Sequence, residues 1–252
     1  MRVCKQLDEW RALRESGDWA GRSIGFVPTM GALHAGHEAL LARARAENER
    51  VVLSIFVNPT QFDDPGDLAR YPRPLETDLG LATAHTDAVL VPAPEALYPD
   101  GYRYRVTENP LSRRWEGEHR PGHFDGVLTV VLKLLNLVRP QRTYFGEKDR
   151  QQLELVRGMV QAMLLPVEIV AHPTVRDADG LALSSRNRRL SPAGRERAAG
   201  FPRVLREAAS ADEAARALRS AGFEVDYVED HEGVRLGAVR IDGVRLIDNV
   251  PL

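Results

Sequence analysis

A single cysteine, Cys4, leaves the chain with no internal disulfide. Lysine is nearly as scarce: of 34 basic residues only Lys5, Lys133 and Lys148 are lysine, and the rest are arginine. No apolar run approaches the roughly 20 residues that cross a bilayer. The longest, Val127 to Val138, is interrupted by Thr129, Lys133 and Asn136, which excludes an integral membrane protein. The opening residues Met1 to Gln6 lack the apolar stretch of a signal peptide, so a reducing cytoplasm is the expected compartment. Charge of either sign is not in excess either. With 34 basic and 36 acidic residues the net charge is −2, which gives no general attraction to nucleic acid or anionic membrane. Any anion site must therefore be local. No internal repeat or low-complexity tract is present.

Core-forming material is plentiful. The 252 residues are 43% hydrophobic and 28% charged, enough for one large α/β domain and a smaller second one. Apolar runs rich in β-branched residues recur at Ile24 to Val27, Val51 to Val57, Ala88 to Val91, Thr143 to Phe145 and Val167 to Val170. Between them, Glu38 to Glu49, Leu75 to Ala84, Gly126 to Val138 and Gln151 to Leu164 place apolar residues at helical spacing. Alternation of this kind predicts a Rossmann-like parallel sheet over residues 1–173, with ligand loops at the carboxyl ends of the strands. Asn58 to Asp67 and Glu116 to Asp125 read as loops. Residues 174–252 read as a small α+β C-terminal domain. Helical segments are expected near Pro192 to Ala208 and Ala211 to Ala221, and strands at Glu224 to Val228, Gly233 to Ile241 and Arg245 to Ile247.

The stretch Pro28-Thr29-Met30-Gly31-Ala32-Leu33-His34-Ala35-Gly36-His37 links the first of these strands to a helix. Its spacing predicts both imidazoles on one side of the first helical turn, where free backbone N–H groups and the positive helix end favour an anion. Gly36 puts no side chain in the way of a nucleotide. Two rings able to donate hydrogen bonds to a phosphate suit a reaction in which negative charge builds on a transferring phosphoryl group. In a chain that uses arginine almost throughout, Lys148 within Phe145-Gly146-Glu147-Lys148-Asp149 points to a need for a compact ammonium. His119 and His123 could be metal ligands four residues apart, but Pro121 and Gly122 intervene and no third ligand is evident.

Set beside Gly146-Glu147-Lys148-Asp149-Arg150-Gln151-Gln152 and Leu183-Ser184-Ser185-Arg186-Asn187, the histidine motif resembles the pantothenate synthetase family of HxGH nucleotidyltransferases. The resemblance runs through nearly the whole chain, including Asn58 to Phe62, Tyr71-Pro72-Arg73, Arg120 to Phe124, Asp179 to Ala182 and Arg245 to Asn249. It implies a ligase that joins pantoate to β-alanine with ATP and Mg2+ through a pantoyl adenylate, as a cytoplasmic homodimer on the route to coenzyme A. By the same resemblance Met30, Gly31, Ala32, Leu33, His34, Ala35, Gly36 and His37 line the ATP site, with His37 the proton donor. Gly146, Glu147, Lys148 and Asp149 continue that site, Val175 offers a backbone contact to adenine, and Gln61 and Gln152 bind pantoate, Gln61 also meeting β-alanine. Leu183, Ser184, Ser185 and Arg186 belong to a loop that closes from the cap onto the phosphates. Mg2+ is expected on the ATP phosphates, with no dedicated protein ligands. The chain reads as some tens of residues shorter than typical members between about Leu205 and Glu224, which predicts a looser cap. Two alternatives stay open on the residues alone: another HxGH nucleotidyltransferase, and a non-catalytic nucleotide-binding module.

Overall fold

The computed structural model describes residues 1–252. They form two compact units, one of Met1–Leu33, His37–Gly146 and Gln151–His172, the other of His34–Gly36, Glu147–Arg150 and Pro173–Leu252.

The first unit carries the expected α/β sheet. Its strands are β1 (Arg2–Cys4), β2 (Ile24–Thr29), β3 (Arg50–Ile55), β4 (Ala88–Leu90), β5 (Arg142–Gly146) and β6 (Glu168–His172), all parallel in the order β1-β4-β3-β2-β5-β6. Side chains of β2 alternate between faces. Ile24 and Phe26 join an apolar cluster with Trp10, Phe124, Leu128 and Leu135, and Val27 joins a second one with Leu41, Leu53 and Val89. Both faces are buried, which is why the strands read as continuous apolar runs. β1 has no counterpart among the expected runs. Only three residues long, it adds to the sheet edge through backbone pairing, Val3 opposite Val89.

The direction in which β2 presents its backbone explains how the sheet opens. The carbonyl of Ile24 accepts from Gln141 N–H on the β5 side, and the carbonyl of Thr29 accepts from Phe56 N–H on the β3 side. Residues alternate in the side they address, so Ile24, Phe26 and Pro28 face β5. Proline has no N–H to give. Pairing of β2 with β5 accordingly stops at Phe26 opposite Thr143, whereas pairing with β3 continues to Thr29 opposite Ile55. Strand order reverses between β2 and β5, so this is the switch point of the sheet, and it is open at its carboxyl end.

Two segments expected as loops contain helix. Asn58 caps a helical turn over Pro59–Gln61, and Asp64 caps a short helix over Pro65–Arg70. A four-residue helix, Glu116–His119, precedes the long helix His123–Val138, which starts earlier than the apolar pattern suggested because Gly122, at φ +79°, supplies the turn into it. That long helix packs on the Pro59–Gln61 turn through Gly126. A Cβ there would lie 2.4 Å from the Thr60 carbonyl oxygen and 2.7 Å from the Gln61 nitrogen.

The second unit holds helices Pro192–Ala198, Gly200–Glu207 and Ala211–Ser220 and an antiparallel sheet of β7 (Glu224–His231), β8 (Val234–Ile241) and β9 (Val244–Pro251). The helical stretch expected from Pro192 to Ala208 is two helices, β7 and β9 run several residues longer than expected, and β8 matches its expected run to within one residue. Glu232-Gly233 and Asp242-Gly243, with positive φ at both residues, make the two-residue turns that set the pairing. Phe201, Leu205, Leu218, Val239 and Leu246 form this unit's own core.

Gly126→Ala is expected to destabilise the protein by about 1–3 kcal/mol, the usual effect of overpacking a close contact, seen as a lower midpoint in thermal unfolding. An unchanged midpoint would show that the Pro59–Gln61 turn yields to the added methyl.

Candidate active site

The chain leaves β2 through Met30, half-buried, into a turn with φ +81° at Gly31 and +51° at Ala32. Two side chains hold this turn. Thr29 Oγ1 donates to the Ser54 carbonyl at 2.7 Å and accepts from Gly31 N–H at 3.1 Å. Asp78, 1% exposed, accepts from Ala32 N–H and Leu33 N–H, each at 2.8 Å. A Cβ on Gly31 would come within 2.9 Å of that carboxylate. Two N–H groups of the turn that leads to the helix are therefore bonded within the protein. Asp78 carries no signal in the sequence, since an acidic residue in the first turn of a surface helix is ordinary.

The helix that follows starts at Ala35 and runs to Glu47. This corrects the expected placement of both imidazoles on its first turn: His37 is in that turn, but His34 precedes it. The half-buried His34 ring acts as a cap, its Nδ1 accepting from Gly36 N–H at 3.1 Å. Accepting at Nδ1 places the ring proton on Nε2. Gly36 is required by the ring itself, because a Cβ there would stand 2.9 Å from His34 Cε1. Burial pushes the His34 pKa down to about 4, and the charges of Lys148 and Arg188 push the same way against Asp149. His34 is thus a neutral donor near pH 7. Arg188, absent from the residues expected on sequence, belongs to this group.

β5 ends at Gly146 and the chain enters a helical turn, Glu147–Asp149, that continues into the helix Arg150–Ala162. A Cβ on Gly146 would meet nothing, so no contact within the protein demands glycine there. In the second unit Asn249 donates from Nδ2 to the carbonyls of Glu147 and Lys148 at 2.8 and 2.9 Å. Beside it, Arg176 grips the buried Asp248 at 2.6 and 2.9 Å and reaches the Asn249 carbonyl at 3.1 Å. Val175 accepts from Leu183 N–H at 3.0 Å across a small hairpin whose turn includes Asp177 and Gly180. Ser184 Oγ then accepts from Arg186 N–H at 3.2 Å, capping the turn Ser185–Arg189.

Gln61 lies in a separate buried network of the first unit. Its Oε1 accepts from Asn58 Nδ2 at 2.9 Å, and Asn58 Oδ1 accepts from Tyr98 Oη at 2.8 Å. Burial pushes the Tyr98 hydroxyl pKa up to about 12, so it remains a donor. His123 Nδ1 donates to the Gln61 carbonyl at 2.8 Å, and its Nε2 accepts from Arg120 at 3.2 Å. Gln61 is thereby fixed on the backbone side and through Oε1, which leaves its Nε2 protons for a ligand. Of the two neighbouring glutamines, Gln151 is structural, donating to the Leu111 and Arg114 carbonyls and accepting from Glu116 N–H. The half-buried Gln152 takes no part in that set.

With this geometry in hand, similarity to known proteins is decisive. The family model for pantoate-beta-alanine ligase matches residues 2–251. The chain belongs to the pantoate-beta-alanine ligase family. A pantothenate synthetase of Bdellovibrio bacteriovorus is 51% identical, with 100% of this chain and 98% of the relative covered, and one of Legionella pneumophila is 48% identical, with 99% of each covered. Among solved structures, the pantoate-beta-alanine ligase of Francisella tularensis, complexed with Beta-gamma ATP and Beta-alanine, superposes with a TM-score of 0.94 at 39% identity, covering 100% of this chain and 97% of that one. Pantothenate synthetase of Thermus thermophilus gives 0.90 at 46% identity, with 100% and 99% covered. The two curated relatives are matched over 98 to 99% of their length, so the expected shortening between Leu205 and Glu224 does not hold against them.

The His34 imidazole is expected to titrate near pH 4 by NMR. Its pKa is lowered on folding, so the unfolded chain takes up the proton first and stability falls as pH drops from about 6.5 toward 4. A titration near 6.5 would show that the ring is neither desolvated nor facing Lys148 and Arg188.

Proposed function

We propose that the chain is an ATP-dependent ligase that condenses pantoate with β-alanine in two stages. A pantoate carboxylate oxygen attacks the α-phosphorus of ATP, the bond to the β-phosphate oxygen breaks, and pyrophosphate leaves. The β-alanine amine then attacks the acyl carbon of the pantoyl adenylate, loses a proton and displaces AMP. The observation that carries this reading is the grouping of a neutral His34 with Lys148 and Arg188 in a chain matched end to end by this ligase family.

Each residue has a step. His34, proton on Nε2, gives a phosphate oxygen a hydrogen bond without holding the ground state as tightly as a charged ring would. His37 is the proton donor to the developing pyrophosphate. Lys148 and Arg186 supply charge, and Ser184 and Ser185 supply hydroxyl donors. Asp149 is placed for ribose hydroxyls and the Val175 backbone for adenine. Met30 to Ala35 with Gly36, and Gly146, Glu147 and Leu183, complete the nucleotide site. The bare Gly146 is explained by close approach of the ligand. Gln61 and Gln152 take the hydroxyls and carboxylate of pantoate, and neutral amides do so without trapping it.

Residues 174–252 are read as the cap domain that brings Ser184, Ser185 and Arg186 to the phosphates. Mg2+ fits this reading as a passenger of ATP, because around His34 the chain offers cations and one opposing carboxylate, Asp149, rather than a carboxylate cage. A homodimer follows from the resemblance alone, and residence in the cytoplasm fits the one buried, unbridged Cys4.

ATP, Mg2+ and pantoate without β-alanine are expected to yield pyrophosphate, and added β-alanine to yield AMP and pantothenate. No response to either acid would overturn the ligase reading. His37→Ala is expected to slow adenylation by about 100-fold or more, the scale for removing one transition-state donor. Lys148→Arg is expected to impair it despite the retained charge, and normal turnover in either variant would remove the role assigned here.

A further inference from the structure

β9 has a clean strand alternation. Val244, Leu246, Asp248 and Val250 are buried on one face, while Arg245, Ile247 and Asn249 lie on the other. Asn249 therefore contributes nothing to the apolar core of its unit. Both of its Nδ2–H groups go instead to consecutive carbonyls, those of Glu147 and Lys148. The strand is braced where it makes this contact. Asp248, 1% exposed at its side chain, is held by two hydrogen bonds from Arg176, and its Oδ1 also accepts the Asn249 N–H at 2.7 Å. Arg176 closes the set on the Asn249 carbonyl and on that of Gly180.

We infer that Asn249 is a positioning residue for Lys148. By gripping the two carbonyls on either side of the Lys148 α-carbon, it fixes the root of a four-carbon stem whose tip must be placed to within a fraction of an ångström. A lysine has a flexible stem and no planar fork to orient it, so the precision of its ammonium depends on its backbone more than an arginine's would. The Arg176–Asp248 pair extends the same restraint to Asn249 itself. This inference rests on the ligase reading for its effect on rate, but not for its effect on geometry.

Asn249→Ala is expected to slow pantoate-dependent pyrophosphate release by about 10- to 100-fold, the effect of a misplacement of about 1 Å, with KM for β-alanine unchanged. In a Lys148→Ala background the same substitution is expected to add no further loss, because the two act through one group. Asn249→Asp keeps the shape but turns oxygens toward two carbonyls, and is expected to fall at least as far as Asn249→Ala. Should Asn249→Ala not fold, Asn249→Ser, which keeps one short donor, takes its place. Independently of any substrate, the His34 imidazole of Asn249→Ala is expected to titrate above its wild-type position, since a wandering Lys148 no longer opposes its protonation. Equal fold losses in the two backgrounds, a wild-type rate in Asn249→Asp, or an unmoved His34 titration would each overturn the inference. A wild-type protein that releases no pyrophosphate with pantoate would overturn the ligase reading alone, and the His34 titration would still decide the role of Asn249.

Discussion

The missing N–H of Pro28 is a small defect in a central strand, yet the placement of the site depends on it. A parallel sheet covered by helices on both faces leaves no room for a ligand except where strand order reverses and the crossovers depart in opposite directions. Between β2 and β5 that reversal is reinforced chemically. β2 addresses β5 through Ile24, Phe26 and Pro28, and the last of these has nothing to donate, so the ladder ends while the β3 side continues. The chain then leaves β2 toward the histidines and β5 toward Lys148 from adjacent, diverging strand ends.

Loops at such an opening have unpaired backbone groups and would ordinarily be soft. Here each is tied down by a side chain. Asp78 holds two N–H groups of the turn after β2, His34 caps the following helix, and Asn249 holds two carbonyls of the turn after β5. The shared logic is that a ligand-binding side chain is aimed by fixing the backbone at its root. It also limits the anion-site argument usually made for a helix start. The N–H groups of Ala32, Leu33 and Gly36 are already bonded within the protein.

This division explains which parts are legible in the sequence. The β-branched runs, the helical periodicity and the His34 and Lys148 segments are local patterns, and the sheet, the order of helices and the fold class follow from them. Asp242-Gly243 is an available signal for the β8–β9 hairpin. Asp78, Asn249 and the Arg176–Asp248 pair are invisible to such reading, because each acts on residues 45 or more positions away. β1 escapes it for a related reason: three residues at a sheet edge are held by pairing with β4, not by any pattern of their own. Placing His34 inside the helix is an error of one residue. Spacing shows that two histidines are near each other along a chain, but not that one of them uses a ring nitrogen to start the helix.

The capping role of His34 has a chemical consequence that a helical placement would not have had. An imidazole that accepts a backbone N–H at Nδ1 can be protonated there only by giving up that bond, and with Lys148 and Arg188 acting on it the cationic form is opposed by charge as well as by burial. Two cations beside the ring would be wasted repulsion if the ring were meant to be charged. They are consistent with a ring kept neutral. In the proposed ligase the short, fixed imidazole would supply direction, and Lys148 charge. Substituting arginine for Lys148 would preserve the charge but spread it over a plane.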